Sequence, residues 1–180
     1  RSLDGGRLVP HNTIASLVTL TAGIASKEQA QRLMARILDP KGFNNPIPFP
    51  SVERGEPGFE KDCWRGPVWV NMAYLALQGM KRYGKNEEAR EMAARLAAGV
   101  YRTWENTGKF VEFYDPDRFD LQELTRKKGT GFLDFFSGSK NPFEILKHLV
   151  VKQFYLGRKP VDRFVVWTGR VNNLVIEEKL

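Results

Sequence analysis

Two helix-forming stretches joined by a very short turn constrain the fold of this chain most strongly. Apolar residues cover nearly all sides of residues 68–80, so the first helix should be enclosed by other helices. It is predicted to begin at Gly66-Pro67, where a proline in the first turn costs no hydrogen bond, and to end at Gly84. Asn86 is expected to cap the second helix, which carries an apolar stripe at helical spacing through residues 89–104. The pattern predicts a helical hairpin.

A second helix pair is predicted upstream. Residues 13–24 form a short apolar helix that ends near Gly23, and Ser26 with Gln29 forms a capping box for the next helix. That helix closes before Pro40, because proline cannot continue the hydrogen-bond ladder. Its apolar residues, at i, i+3, i+4 and i+7, are Ala30, Leu33, Met34 and Ile37. Two consecutive helix pairs without a clear strand between them favour an all-α toroid or bundle.

The remaining segments are irregular or ambiguous. Residues 41–58 carry four prolines, which excludes regular structure and predicts a long ordered loop of a kind that is often functional. Residues 110–115 are read as extended. Further on, Asn141 is expected to cap a helix over residues 143–155, and residues 165–176 are compatible with either a helix or a strand.

Length and composition indicate a single domain of 180 residues with enough apolar side chains, 42%, to bury a core. No apolar run approaches the roughly 20 residues of a membrane span, and the N-terminus lacks the pattern of a signal peptide, so we expect a cytoplasmic protein that does not bind membranes. One cysteine and two separated histidines supply neither an internal disulfide nor a metal cluster. We expect neither a metal nor a cofactor.

A net charge of +7 raises the question of a nucleic-acid partner. Much of the excess lies at Arg126-Lys127-Lys128 and Arg158-Lys159, without the interleaved aromatic side chains on which single strands stack. The charge distribution therefore argues against nucleic-acid binding.

Residues 63–69 place two indoles, a guanidinium and a glycine at a predicted helix start. The faces of Trp64 and Trp69 suit the apolar faces of a sugar ring, Arg65 offers a fork of donors to hydroxyl or carboxylate oxygens, and Gly66 lets backbone approach a ligand closely. In the alternative interpretation, both tryptophans are core residues and Arg65 caps a neighbouring carbonyl.

A carboxylate lies among aromatic and aliphatic neighbours at Glu112. If the segment is extended, Glu112 shares a face with Phe110 and Tyr114. Desolvation there would raise the proton affinity of the carboxylate, as a general base requires, and Tyr114 would orient it or contact the substrate. The alternatives are an ion pair with Arg65 or Lys109, or simple exposure to solvent.

These motifs, in this order and spacing, resemble glycoside hydrolase family 63 and its mannosylglycerate hydrolase-like relatives. The matching segments are Trp64-Arg65-Gly66-Pro67-Val68-Trp69-Val70-Asn71-Met72, Phe110-Val111-Glu112-Phe113-Tyr114-Asp115-Pro116 and the late Trp167-Thr168-Gly169. The resemblance implies the C-terminal half of an (α/α)6 toroid and hydrolysis with inversion, with Glu112 as the general base. It also implies a sugar subsite formed by Trp64, Arg65, Gly66, Trp69, Tyr114 and Trp167.

The chain departs from the family in two respects. No segment matches the aspartate that serves as the family's general acid, and an inverting enzyme needs both carboxyls. Residues 118–163, which carry a basic run, are read as an insertion. Because residues 1–12 also look like a connection between helices, we expect a fragment of an α-glucosidase-like or of a mannosylglycerate or glucosylglycerate hydrolase-like enzyme, which by itself is inactive.

Two kinds of partner follow from the resemblance. One is a small glycoside or oligosaccharide substrate. The other is a protein surface, because half a toroid exposes helix faces that would be covered by the missing N-terminal half or, in a homo-oligomer, by a second copy. The alternative to an enzyme is a non-catalytic helical module that binds sugar or protein through the Trp64–Trp69 surface.

Overall fold

The helices of the first pair lie near the start of the described chain. The computed structural model describes residues 11–126. Within the predicted segment 13–24, a 3-10 turn over Ile14–Leu17 runs into a short helix, α1 (Val18–Ala22). Gly23 ends α1 in the left-handed conformation with φ 71°, as a helix C-terminal glycine does. The predicted helix is therefore present, but only its second part is α-helical.

The second helix, α2 (Lys27–Leu38), has the predicted capping box. The Ser26 hydroxyl accepts a hydrogen bond from the Gln29 amide at 3.2 Å, and the Gln29 side chain accepts one from the Ser26 amide at 2.8 Å. The apolar face buries Ala30, Met34 and Ile37. This prediction is confirmed.

The third helix, α3 (Val70–Arg82), begins later than predicted. Pro67 and Val68 are not helical, because the Val68 amide and carbonyl bond to Tyr114 at 2.8 and 2.9 Å instead of entering a helical turn. The prediction that the helix begins at Gly66-Pro67 is therefore wrong. The Val68 amide and carbonyl, which would belong to the first turn of the predicted helix, are instead bonded to Tyr114.

The fourth helix, α4 (Asn86–Thr107), follows α3 after three connecting residues and completes the predicted hairpin. Gly84 adopts φ 82°, as expected of the residue after a helix. Asn86 is the first helical residue rather than the cap. The cap position belongs to Lys85, which makes no side-chain capping bond.

The helices and the proline-rich loop share one core. The α1 helix packs against α3, and α3 packs against α4. The loop buries Phe43, Ile47 and Phe49 almost completely, which confirms that it is ordered. In residues 11–126 the only β structure is four isolated bridges, so this part of the chain is all-α, as predicted.

Three predictions fall outside the described residues: the helix over residues 143–155, the segment 165–176 and the position of Trp167. Most of the proposed insertion, residues 118–163, also falls outside them. Within residues 11–126, the helices are too short or too polar to cross a bilayer.

The crossing of α1 and α3 depends on Gly79. A β-carbon built there would lie 2.7 Å from the Leu20 β-carbon and 3.0 Å from the Thr21 amide nitrogen. We predict that Gly79→Ala destabilises the fold by about 1–3 kcal/mol, despite the better helix propensity of alanine, because the backbones must move apart. Glu91→Ala on the exposed face of α4 should change stability by less than about 0.5 kcal/mol. Urea unfolding of both variants measures the difference; equal stabilities would contradict the close crossing.

Candidate active site

The candidate site rests on three irregular segments that meet at Val68 through isolated β-bridges to Pro50 and Tyr114. Val68 and Tyr114 exchange both of their main-chain hydrogen bonds, at 2.8 and 2.9 Å. On the other side, the Ser51 amide donates to the Pro67 carbonyl at 3.0 Å, and the buried Ser51 hydroxyl accepts from the Gly66 amide at 2.9 Å. The loop that carries the tryptophans and the segment that carries Glu112 are thereby bonded side by side.

The two tryptophans form one aromatic stack. Trp64 and Trp69 lie parallel, with ring centroids 3.7 Å apart and an interplanar angle of 7°. Trp69 is 6% exposed and donates from its indole nitrogen to the Cys63 carbonyl at 2.9 Å, whereas Trp64 is 48% exposed. Each interpretation therefore applies to one of the two residues. Trp69 is a core residue, whereas Trp64 has an accessible indole that stacks on Trp69.

Gly66 is needed for packing within its own loop. A β-carbon at this position would lie 2.3 Å from the Glu60 carbonyl oxygen, which is backbone and cannot turn aside. The group that approaches Gly66 closely is therefore the Glu60 carbonyl of the same loop. Contact between Gly66 and a sugar stays a prediction.

Arg65 pairs with an acidic side chain of the same loop rather than with a carbonyl or with Glu112. Its guanidinium contacts the Glu60 carboxylate at 2.9 Å, and the Arg65 side chain is 51% exposed. An exposed pair of this kind is weakly bound. Arg65 is therefore available to a ligand at small cost.

Glu112 is paired with Arg126, a partner that the sequence did not suggest. The guanidinium Nη2 contacts carboxylate Oε2, and the Arg126 guanidinium carbon lies 5.6 Å from the centre of the Phe113 ring. Phe113 in turn lies 5.3 Å from Trp69, measured between ring centroids. A continuous set of contacts therefore links Glu112 to the tryptophan stack.

Tyr114 is less accessible than predicted. The chain bends at Glu112 and Phe113, so residues 110–115 are not one continuous extended segment, and the condition for a face shared by Phe110, Glu112 and Tyr114 is not met. Tyr114 is fully buried, and its hydroxyl accepts a hydrogen bond from the Val111 amide at 3.4 Å. Burial raises the pKa of the phenol, which keeps it neutral. The contact of Tyr114 with substrate stays a prediction, and Tyr114 here supports the bend that presents Glu112.

A cluster of charges beside the site was missed by sequence reasoning. Lys61 contacts three carboxylates: Asp115 at 2.9 Å, Asp117 at 3.0 Å and Glu123 at 2.6 Å. These acids are distant from Lys61 in sequence, and ion pairs between distant residues leave no periodic pattern. The only available signal was the position of Lys61 three residues before Trp64.

One cavity among the described residues lies away from these groups. It has a volume of about 610 Å³ and is lined by residues of the 3-10 turn, α1 and α2, including Arg32 and Arg36. It shares no residue with the candidate site. Within residues 11–126, no group of His, Cys, Asp and Glu side chains is arranged to hold a metal ion.

An exposed indole offers a flat apolar surface to a ligand, and a carboxylate nearby is the kind of group that glycosidases use. Comparison with known proteins assigns the class. Residues 1–132 match the profile of the mannosylglycerate hydrolase MGH1-like glycoside hydrolase domain. The chain belongs to this family, as its motifs had indicated.

Individual relatives agree with the family assignment. Mannosylglycerate hydrolase MGH1 of Selaginella moellendorffii is 36% identical over 115 residues, which are 62% of this chain and 22% of that protein. Two crystal structures of the family 63 mannosylglycerate hydrolase of Thermus thermophilus are each 30% identical. The complex with Tris and D-glycerate has a TM-score of 0.54 over 67% of this chain, and the complex with glucose has a TM-score of 0.52 over 65%. The matches cover 28% of each of those chains.

The chain thus matches about a quarter of the length of these relatives. The all-α arrangement of the described helices is consistent with a fragment of an (α/α)6 toroid and resembles part of the family 63 structures.

The packing of Gly66 generates a prediction. Gly66→Ala should destabilise the protein by about 1–3 kcal/mol, because the new methyl group must displace the Glu60 backbone. Gly58→Ala in the same loop is the matched control, since a β-carbon there meets nothing within 4 Å, and its stability should be unchanged or slightly increased. Thermal unfolding of both variants checks this. Equal melting temperatures would show that Gly66 is not needed for packing.

Proposed function

We propose that this chain supplies the general base and part of the sugar subsite of an inverting glycoside hydrolase. Its substrate is a small α-glycoside, such as mannosylglycerate, glucosylglycerate or an α-glucoside. The observation that carries the proposal is the set of contacts that links the partly exposed Glu112 carboxylate to the exposed Trp64 indole. Membership of the glycoside hydrolase family supports it.

Glu112 activates the attacking water. Arg126 engages carboxylate oxygen Oε2 and balances its charge, so we assign the water to Oε1. The water loses its proton to Oε1 as its oxygen attacks the anomeric carbon from the face opposite the leaving group, which inverts the configuration. The carboxylate is 22% exposed, which leaves it within reach of solvent and substrate.

A second carboxyl must protonate the leaving oxygen, at a distance of typically about 6.5–9.5 Å from the base in inverting enzymes. The aspartates that follow Glu112 do not suit this role, because Asp115 and Asp117 are bound to Lys61. We therefore assign the general acid to a residue outside the described part of the chain.

Trp64 provides the surface for the sugar ring. One face of the indole rests on Trp69, and the side chain as a whole is about half exposed. A pyranose that lays its C–H face on the outer side of the indole would place its hydroxyls within reach of polar neighbours, of which Arg65 is the nearest in sequence. The buried Trp69 fixes the angle of this surface.

We predict that Trp64→Ala weakens sugar binding by about 1 kcal/mol or more, because it removes the stacking face. Trp64→Phe is the control, since a phenyl ring keeps most of that face. Calorimetric titration with glucose, the sugar bound by the Thermus relative, measures both affinities. Unchanged affinity in a folded Trp64→Ala protein would remove Trp64 from the subsite.

The role of Glu112 predicts the behaviour of Glu112→Gln in the full-length protein. Glutamine keeps the shape and a hydrogen bond to Arg126 but does not take a proton from water, so turnover should fall by at least roughly 10²–10⁴-fold. Substrate affinity should change little. Because the ion pair is partly exposed, the loss of stability should be no more than about 1 kcal/mol.

Glu91→Gln on the exposed face of α4 is the matched control and should leave turnover unchanged. Measuring melting temperature, affinity and turnover on the same preparations separates a base from a structural partner of Arg126. Full activity of Glu112→Gln would remove it as the base. Sugar binding without hydrolysis by the wild-type full-length protein would favour the non-catalytic binding module.

A further inference from the structure

Lys61 connects the tryptophan loop to the segment that carries Glu112. Its side chain is 16% exposed, and its ammonium group contacts carboxylates of Asp115, Asp117 and Glu123. Asp115 is completely buried, so its charge depends on a cationic partner. Arg54 adds a second cation at Asp117, at 2.6 Å.

The main chain of Lys61 makes a further connection to the same segment. Its carbonyl accepts a hydrogen bond from the Thr125 amide at 2.8 Å, and the neighbouring Cys63 amide donates to the Thr125 carbonyl at 3.1 Å. Lys61 therefore holds residues 112–126 near both ends, through Asp115 near the start and through Thr125 near the end.

The two residues of the Glu112–Arg126 pair lie just outside these two attachment points. Glu112 precedes Asp115 by three positions, and Arg126 follows Thr125 directly. Any movement of the segment relative to Lys61 would therefore shift the carboxylate and its guanidinium partner relative to the tryptophan stack.

The attachment persists at neutral pH. Desolvation acts to lower the pKa of Lys61, but the hydrogen bonds that its ammonium group donates to Glu123, Asp115 and Asp117 outweigh this effect and raise the pKa above its ordinary value. A raised lysine pKa means that its stabilisation is fully present below the ordinary pKa and is lost only at strongly alkaline pH. The ammonium group is thus charged wherever the enzyme would be assayed.

We propose that Lys61 is a positioning residue for Glu112: by binding Asp115, Asp117 and Glu123 it holds the candidate base in register with the tryptophan stack. The inference rests on the proposed function of Glu112. Because catalysis depends steeply on the placement of reacting groups, a displacement of about 1 Å costs on the order of 10²-fold in rate.

Kinetics of the full-length protein test the proposal. Lys61→Met should lower kcat by roughly 10–100-fold, with KM changed by less than about threefold, because the sugar surface is kept while the base moves. Lys61→Arg, which keeps a cation, should recover most of kcat. Lys85→Met is the matched control: it removes a lysine ion pair, with Glu88 at 2.8 Å, away from the segment and should leave kcat unchanged.

A double variant distinguishes positioning from charge balance. In Lys61→Met with Asp115→Asn, a neutral amide replaces the buried carboxylate, so no charge is left without a partner at this position. The melting temperature should therefore return toward that of the wild type. The attachment of Asp117 and Glu123 remains lost, so kcat should stay low. Recovery of kcat together with stability would overturn the proposal, because it would reduce Lys61 to a neutralising charge.

Amide hydrogen exchange on the 180-residue chain provides a measure that needs no activity. In Lys61→Met, the amides of Asp117 and Thr125 should exchange at least about tenfold faster, while amides of α3 keep their wild-type rates. If the wild-type protein hydrolyses no glycoside but these amides respond, the proposed function fails and the attachment stands. Unchanged exchange at both amides would overturn the positioning role itself.

Discussion

The reciprocal main-chain hydrogen bonds between Val68 and Tyr114 are the contact on which the candidate site depends. They displace the start of α3 to Val70 and place the tryptophan loop beside the segment of Glu112. Both residues are completely buried, so the two bonds are shielded from water and costly to break. A site assembled from two irregular segments thereby obtains a fixed geometry without a strand of its own.

Around this contact, ion pairs hold side chains of the candidate site. Lys61 compensates the buried Asp115, and Arg126 compensates Glu112. Both are long-range pairs, and each would leave a carboxylate without its cation if its basic partner were removed. The aromatic stack depends on burial and not on charge: Trp69 is buried in the core, while Trp64 stays open to a ligand. Rigid support beneath an accessible ring is what a sugar subsite requires.

Sequence reasoning recovered the features that depend on local or periodic signals. The capping box at Ser26, the left-handed Gly84, the hairpin of α3 and α4 and the order of the proline-rich loop were all predicted from neighbouring residues. The start of α3 was mispredicted because proline favours a helix start locally, while Val68 bonds to a residue far along the chain. Arg126 and Lys61 were missed for the same reason: their partners are brought near only by the fold. The role proposed for Glu112 came from the family resemblance, because its immediate neighbours left several roles open.

If Val68 and Tyr114 join the two halves of the site into one unit, amide hydrogen exchange of the wild-type chain will show it. Each amide donates to the other residue, so both should be released by one opening event. The two amides should exchange with the same free energy of opening, and as slowly as buried amides in the middle of α3 and α4. Rapid exchange of either amide, at the rate of an exposed loop, would contradict it.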